Sequence, residues 1–541
     1  MLKYQVVVIG GGATGSGVLR DLALRGVKVA LVDKGDLCSG TSARFHGLLH
    51  SGGRYAVNDL DAARECITEN LILKKVAWHC VEDCGGYFLQ MEGDDDRYVQ
   101  KWVEACQAAG IEAVETDRDA VLREEPCLRK SLQRAFRVPD AAIDGFRLVY
   151  SNARSATRHG AGMYPYTAVK EIFRTGSRVT GLEVENILTG ERSRMECEIV
   201  VNAGGAFAGS IANLAGVDLT MLPNRGAMIV FNHRIANKVL NRLRPPSDAD
   251  IFVPHNTTMI LGTTSVDVVK PDDYRPSREE LDRLMTLGGE MVRDLGDYRP
   301  LRAYAGVRPL YSPGTSGAKG RAATRNFVLI DHGREDGLEG FVTITGGKFT
   351  IYRLMSEKTA DLVTKKIGCY VPGSTSREKL VEPDKMATER VRKTFVSGFG
   401  ELTVTRSASN LDEVKAELAR NPLSKDILCE CEGVSMAEVM ASARHLPLQS
   451  LGEVRRRTRM GTGTCQGVFC GVRTTGLLVE EGFLGPDKFG PFLAEFLEKR
   501  WRGQQAVLHG QQLAEAELAL GVYSSLLCLE RIQYGAFNNE G

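Results

Sequence analysis

Long hydrophobic runs are missing: no stretch of this sequence approaches the ~20 apolar residues that a helix needs to cross a bilayer. Net charge of either sign is missing too, because 69 Lys and Arg stand against 68 Asp and Glu, a formal +1. Such a balance gives no global field for nucleic acid or an anionic membrane surface, so no nucleic-acid partner is expected. Any anion must be met by a local cluster of Lys and Arg. Internal repeats and low-complexity tracts are also lacking. With 25% charged and 43% hydrophobic residues the composition is that of a globular protein, which excludes the disordered and fibrous classes. The first strand-like run, Tyr4 to Ile9, begins without a charged, apolar leader or a cleavage site, so a cytoplasmic chain is expected.

What is present starts with length: 541 residues exceed one ordinary domain, and ~100–200 residues per domain suggest three or four. The 13 cysteines are odd in number and unevenly placed. Most, among them Cys38, Cys66, Cys80 and Cys197, are scattered singly and read as free thiols of a reducing compartment. Cys429, Cys431, Cys465 and Cys470 stand apart as a group.

The opening Val6-Val7-Val8-Ile9-Gly10-Gly11-Gly12-Ala13-Thr14-Gly15 sets G-x-G-x-x-G between a buried strand and a helix. Gly10 permits the tight turn, Gly12 lets the backbone approach a pyrophosphate and Gly15 allows close helix–strand packing. A second strand, Val29 to Val32, ends at Asp33, roughly 20 residues on, where a carboxylate accepts from adenosine ribose hydroxyls. Two later features resemble elements of two-dinucleotide-binding-domain flavoproteins, and that resemblance favours FAD over NAD. The strand Glu198 to Asn202 runs into Ala203-Gly204-Gly205, and a strand-like run from Leu338 to Thr345 ends in Gly346-Gly347-Lys348 before a helical pattern. A cation and a helix N-terminus there stabilise negative charge on a reduced flavin. Helical pattern also covers about Asp59 to His79, and β-rich stretches at 222–232 and 251–264 suit an antiparallel layer on the substrate side.

With these elements in place, the sequence resembles the FAD-dependent glycerol-3-phosphate dehydrogenases. The resemblance rests on Gly40-Thr41-Ser42 with His46-Gly47-Leu48-Leu49-His50-Ser51-Gly52-Gly53-Arg54-Tyr55, on Tyr304-Ala305-Gly306-Val307-Arg308-Pro309-Leu310, and on Thr345-Gly346-Gly347-Lys348 with Thr350 and Tyr352-Arg353. The cysteine-rich extension makes it most similar to the large catalytic subunit of the family's anaerobic form. The resemblance implies oxidation of sn-glycerol 3-phosphate to dihydroxyacetone phosphate, with electrons passing from FAD through an iron–sulfur cluster to a quinone. It also implies two partners, one a second flavoprotein and the other a membrane-anchoring iron–sulfur protein. A position against the inner face of the cytoplasmic membrane is implied through these partners. FAD contacts are implied for Gly10, Gly12, Ala13, Thr14, Gly15, Asp33, Lys34, Thr41, Ser42, Ala203, Gly204, Gly346, Gly347 and Lys348. Arg54, Tyr55, Arg308 and Lys348 are implied on the substrate, which suits a phosphomonoester because Arg forks hold phosphate oxygens bidentately.

The catalytic set is expected to be Arg308 and Lys348 with a histidine as base for the C2 hydroxyl. His50 is preferred from its place in the motif loop, with His46 and His255 as alternatives, and a covalent flavin link through His46 or His50 is not expected. One segment departs from the family: Leu222-Pro223-Asn224-Arg225-Gly226 stands where relatives carry a basic-Gly pattern, and Arg225 is the expected substitute.

Cys429-x-Cys431 and Cys465-x4-Cys470 resemble the 2Fe–2S domain related to bacterioferritin-associated ferredoxin, and thiolates suit a soft cluster. Zinc is the rival, since four cysteines also close a tetrahedral site. Arg455, Arg456, Arg457 and Arg459 either offset the charge of a cluster or form a solvated basic turn.

The expected fold is therefore α/β: a two-dinucleotide-binding-domain, DAO-like Rossmann flavoprotein with an antiparallel-sheet substrate domain, plus a small helical, BFD-like 2Fe–2S domain. The flavoprotein domain should span 1–368, its substrate layer interleaved at about 81–145 and 211–304. A linker and helical segment should fill 369–424, the cysteine domain 425–480 and a helical tail 481–541. Phe489, Phe492, Phe496, Trp501 and Tyr523 make that tail a candidate docking surface. Two other functions fit the same motifs: oxidation of another 2-hydroxy acid or an amine, and non-catalytic electron transfer by a flavin-bearing scaffold.

Overall fold

The computed structural model describes residues 2–311, 326–382, 384–395 and 398–529. Val6–Ile9 is a central strand of a six-stranded sheet, ordered Gly162–Tyr164, Val29–Val32, Val6–Ile9, Ile199–Asn202, Phe341–Gly346 and Phe327–Asp331. Its first five strands run parallel and the last is antiparallel. Alternate residues of a strand point to opposite faces, and here both faces are covered. Val6, Val8, Val29 and Leu31 enter one core with Leu19 and Leu22 of helix Ala13–Leu24 and Tyr352 and Met355 of helix Tyr352–Lys366. Val7, Ile9, Val32 and Val200 enter another with Ile172, Leu182 and Val184 of a four-stranded sheet. The helical pattern after Asp59 forms Leu60–Val76, capped by the Asp59 carboxylate accepting from Ala62 N.

The substrate-side layer is a nine-stranded sheet whose longest members, Met221–Phe231 and Pro300–Tyr311, pair antiparallel along their length. One pairing departs from the expected antiparallel layer: Val239–Arg242 lies parallel to Gly86–Met91 and joins two hairpin systems into one sheet. Helix Asp96–Ala109 packs on this layer, and its buried Trp102 donates from Nε1 to Gly53 O at 2.8 Å, which pins the Gly52-Gly53-Arg54 loop to the sheet.

Beyond Lys385 the described chain is helical apart from the hairpin Ile427–Cys429 with Val434–Ser435. Leu428, Val439, Leu451, Val454 and Leu478 share a core with Phe492 and Phe496 of helix Phe489–Gln505, and Tyr523 of helix Gly510–Leu526 packs against it. Trp501 packs on the substrate layer instead. The aromatic residues of the tail thus face inward, because they complete cores that the short cysteine-bearing elements cannot fill alone. This corrects the reading of them as a docking face. Residues 530–541 of the expected tail lie outside the described residues. Among those described, no helix is long and apolar enough to cross a membrane.

The four arginines that precede Cys465 are not a solvated turn, and most of them pair across to the flavin-side domain. Arg456 and Arg457 pair with Asp36, at 2.9 and 3.0 Å, and Arg459 pairs with Asp144 at 3.2 Å. These pairs seat the cysteine module on the flavin-side domain, with Arg154 and Arg158 adding bonds to Ser409 O. Arg455 alone stays within the module, donating to Gln466 Oε1 at 2.9 Å.

Candidate active site

A cavity of about 570 Å³ runs from the Gly10–Thr14 turn to the substrate layer. Its dinucleotide end is built by backbone. Gly10 has φ 112° and a Cβ there would sit 2.5 Å from Ala203 O, so only glycine makes this turn. The following helix has no acidic residue in its first turn, which leaves its N-terminal dipole open to a phosphate. Asp33 accepts from Gly11 N at 2.5 Å and Gly35 N at 2.7 Å, while burial pushes its carboxyl up to about 6. Each oxygen keeps a second lone pair for a ribose hydroxyl. Lys34 stacks over Phe207 at 4.0 Å. Gly12, Ala13, Thr14, Thr41, Ser42, Ala203 and Gly204 line this region; Gly15 does not, because its Cβ position lies 1.8 Å from Gly10 O and serves helix packing alone.

The far end gathers the basic residues. Gly346, Gly347, Lys348, Arg308, Arg54, Tyr55, His46 and His50 all line it. Loop 41–46 is stitched to strand Pro300–Tyr311 by Thr41 Oγ1 donating to Val307 O at 2.7 Å and Tyr304 OH donating to Phe45 O at 2.9 Å. Arg308 is held by its own sheet. One Nη donates to Asn224 Oδ1 and Arg225 O, the other to Thr263 Oγ1 and Thr264 O, at 2.6–3.2 Å. Gly226 makes room for it: a Cβ there would lie 2.4 Å from Arg308 Nη2. Arg54 bonds Asp250 at 3.1 Å and Ser247 O at 2.8 Å. Lys348 differs from both. Its Nζ is buried without a hydrogen-bond partner, 4.6 Å over the Tyr55 ring. Tyr55 meets His50 edge-on at 5.5 Å, and His50 meets His46 at 5.8 Å. The His50 backbone is fixed by its N–H donating to Thr350 Oγ1 and by Asn70 Nδ2 donating to its carbonyl.

Two expectations change. Arg225 pairs at 2.7 Å with both Asp273 and Glu280 and does not line the cavity, so Gly226, rather than a basic side chain, is what that segment supplies. His255 also stays behind the wall, its Nε2 bonded to His46 O at 2.9 Å and its pKa lowered by burial and then by Arg459. His50 and His46 remain as bases. The motifs did not flag Arg44, Tyr274, Met228 or Thr263, which also line the cavity. Nor did they flag Glu65, whose carboxyl is raised by burial against the opposing pull of the Lys348 charge. Arg44 sits two residues past the Thr41-Ser42 motif and stacks 4.0 Å over Tyr274.

The four cysteines of the C-terminal module converge. Cys431 Sγ lies 3.8 Å from Cys429 Sγ and 3.7 Å from Cys465 Sγ. Cys470 Sγ faces Met460 Sδ at 3.3 Å, and Gly461 N donates to Cys429 Sγ at 3.5 Å. Hydrogen bonds among the thiols push Cys429 and Cys465 down and Cys431 and Cys470 up.

A family model for FAD dependent oxidoreductases (DAO) matches residues 5–353, and one for the BFD-like 2Fe–2S binding domain matches residues 427–480. Over 534 residues the chain is 41% identical to the A-subunit of anaerobic glycerol-3-phosphate dehydrogenase from Escherichia coli K12, covering 98% of each. The chain belongs to this A-subunit family of anaerobic glycerol-3-phosphate dehydrogenases. The Haloferax volcanii member, an A1-subunit by name, is 40% identical over 530 residues, covering 95% of this chain and 89% of that one. A solved glycerol-3-phosphate dehydrogenase from Bacillus halodurans, complexed with FAD, shares the fold at 20% identity with a TM-score of 0.69, covering 94% and 97% of the two chains.

The cofactors of this A-subunit family fit the residues present. FAD is met by a glycine turn that any side chain would block, a helix N-terminus without acid, and Asp33 with spare lone pairs. The unpartnered Lys348 ammonium at the opposite end suits the negative charge of a reduced flavin or of an anionic substrate. The 2Fe–2S cluster is met by four sulfurs from the end of strand Ile427–Cys429, the turn after it, the 465 turn and the start of helix Val468–Glu480, with a backbone N–H aimed at one of them.

Proposed function

We propose that this protein oxidises sn-glycerol 3-phosphate to dihydroxyacetone phosphate, passing two electrons to FAD and on through the 2Fe–2S cluster toward a quinone. The observation that carries the substrate is the buried, unpartnered Nζ of Lys348 beside Arg308 and Arg54. A buried cation without a partner is costly, and an anion entering the cavity removes that cost. A phosphomonoester brings close to two negative charges. An amine substrate would meet the Lys348 ammonium and is disfavoured on the same ground.

The chain's own residues then have distinct tasks. Lys348, with Arg308 and Arg54, balances the phosphate. Tyr55, packed between Lys348 and His50, fixes the distance between the anion site and the histidine. His50 removes the proton of the C2 hydroxyl as the C2 hydrogen leaves. FAD, when bound, supplies the hydride acceptor. The dinucleotide turn and Asp33 hold its adenosine and phosphate groups.

The lettered designation of the relatives supports further subunits, here a second flavoprotein and a membrane-anchoring iron–sulfur protein. Association with the inner face of the membrane would then come through these partners, since no described helix spans it. The domain limits that suit this reading are a flavoprotein domain at 1–368, a linker and helical segment at 369–424, a cluster domain at 425–480 and the helical tail. The test is an absorption spectrum of anaerobically purified protein before and after sn-glycerol 3-phosphate. Flavin bleaching by this substrate supports the reading, and a flavin left oxidised overturns it. The variant Cys465→Ser, Cys470→Ser should keep flavin bleaching and dye-linked activity and lose quinone-linked turnover with partners present.

A further inference from the structure

We infer that Arg459, held between Glu432 and Asp144, is the positioning residue for electron transfer from the flavin cavity to the 2Fe–2S cluster, its charge setting how readily the cluster accepts an electron. This rests on the function proposed above, in which FAD is reduced first and the cluster second.

Arg459 ends helix Leu451–Thr458 in a left-handed conformation, φ 67°, which turns the chain into the cysteine loops. The next two residues meet the ligands directly: Met460 at Cys470 Sγ and Gly461 at Cys429 Sγ. The Arg459 side chain reaches toward the other domain. Its Nε donates to Glu432 Oε2 at 2.9 Å, and its Nη1 donates to Asp144 Oδ2 at 3.2 Å.

Each carboxylate leads to the cavity wall. Glu432 follows Cys431, and its Oε2 also accepts from Asn256 Nδ2 at 3.0 Å. Asn256 follows His255, which bonds the carbonyl of the cavity-lining His46. From His46 to Cys431 the path is covalent except for two hydrogen bonds. On the second branch, Asp144 precedes Gly145, which packs so closely on Phe45 and Phe349 that a Cβ would lie 2.6 Å and 3.1 Å from them. Those two rings stack at 4.2 Å and line the cavity. Arg459 joins the two branches. Electrons cross bonds and hydrogen bonds with less loss than open gaps; the His46 branch reaches Cys431 through Glu432, which Arg459 holds in place, and the Gly145 branch reaches Glu432 through Arg459 itself.

Charge adds a second role. Each electron accepted adds negative charge to a thiolate-held cluster, and a fixed cation nearby favours that. Arg456 and Arg457 grip Asp36 instead and bond neither Glu432 nor Asp144. Oxidation of the secondary alcohol yields two electrons and two protons. A bound 2Fe–2S cluster would take these electrons one at a time and give each to the quinone-linked acceptor, and the protons go to solvent.

The test uses full-length protein loaded with FAD and iron, both quantified, as Arg459→Met, Glu432→Gln and, for comparison, Arg456→Met. Rapid mixing with sn-glycerol 3-phosphate follows flavin and cluster absorbance separately, and a redox titration read by paramagnetic resonance gives the cluster potential. In Arg459→Met flavin bleaching should keep its rate, cluster reduction should slow by about tenfold or more, and the potential should fall. In Glu432→Gln the potential should rise, and in Arg456→Met it should not move. A purely structural role would not produce opposite shifts from the two partners. Unchanged potential and cluster reduction in both Arg459→Met and Glu432→Gln overturn the inference. Failure of wild-type flavin to bleach overturns the proposed function instead.

Discussion

Asp36 and Arg457 form an ion pair of 3.0 Å, Oδ1 to Nη2, although they lie on different domains and their side chains are only 1% and 5% exposed. Arg456 takes the other carboxylate oxygen at 2.9 Å, and Tyr150 OH donates to it at 2.5 Å. Burial would raise the Asp36 carboxyl, but Arg457 and Arg456 outweigh it and hold it below the usual range.

Removing one partner of such a buried pair costs about 3–5 kcal/mol, because the remaining charges stay buried. Asp36→Asn should therefore lower the melting temperature and open the 369–382 connection to protease before the rest of the chain. Thermal melting with limited proteolysis checks this, and a variant that melts like wild type would show that other contacts seat the module.

Lys348→Met should separate stability from function. No hydrogen bond is lost with Nζ, so the substrate-free protein should lose only the contact with the Tyr55 ring and the attraction of Glu65, about 1 kcal/mol or less. Substrate binding should lose on the order of 2–4 kcal/mol, read as a KM raised ~30-fold or more. Melting curves and steady-state kinetics on one preparation test both. A KM left unchanged would remove Lys348 from the anion site.

Gly226→Ala tests the placement of Arg308 without touching its charge. The added Cβ must displace the guanidinium, whose nearest atom is 2.4 Å from that position. Overpacking of this kind costs about 1–3 kcal/mol. Higher KM with FAD content unchanged is the expected result; normal kinetics would mean that Arg308 moves without consequence.

Acid should loosen the same domain junction through Asp144. Burial would raise its carboxyl, yet Arg147 and Arg459 bring it down to about 2. A carboxyl with a depressed folded pKa contributes stability above its unfolded value of roughly 3.9, and that stability is lost as pH falls through the folded value. The contribution, on the order of 2 kcal/mol, should therefore vanish between about pH 4 and about pH 2. Asp144→Asn should flatten this part of the stability curve, as followed by denaturant melts across pH.

The sequence made local features legible and left distant partnerships out of reach. Gly10, Gly12 and Asp33 could be read because turn, helix and acid all fall within one strand–helix–strand unit. The strand at Val200 and the turn at Gly346 followed from short apolar runs ending in the same glycine punctuation. Arg456 gave no such sign, because Asp36 lies 420 positions away. Arg459 and Asp144 are separated by 315 positions. A basic run with remote partners looks like a solvated one, and only the fold distinguishes them. Arg225 misled for the same reason: its partners Asp273 and Glu280 sit on the connection and helix that follow the hairpin, outside the motif. The parallel pairing of Val239–Arg242 with Gly86–Met91 escaped because strand direction leaves no trace in side-chain alternation.

The positions of Asp36 and Asp144 set an order of assembly. Domains generally fold as they leave the ribosome, N-terminal first. Both carboxylates are made hundreds of residues before Arg456, Arg457 and Arg459. A nascent flavin domain thus carries two carboxylates without their remote arginines until residue 459 has been synthesised. Chains that stop short of these arginines keep both carboxylates with only their local partners, Tyr150 for Asp36 and Arg147 for Asp144, so a truncated product differs from the full chain in its charge balance as well as in its length.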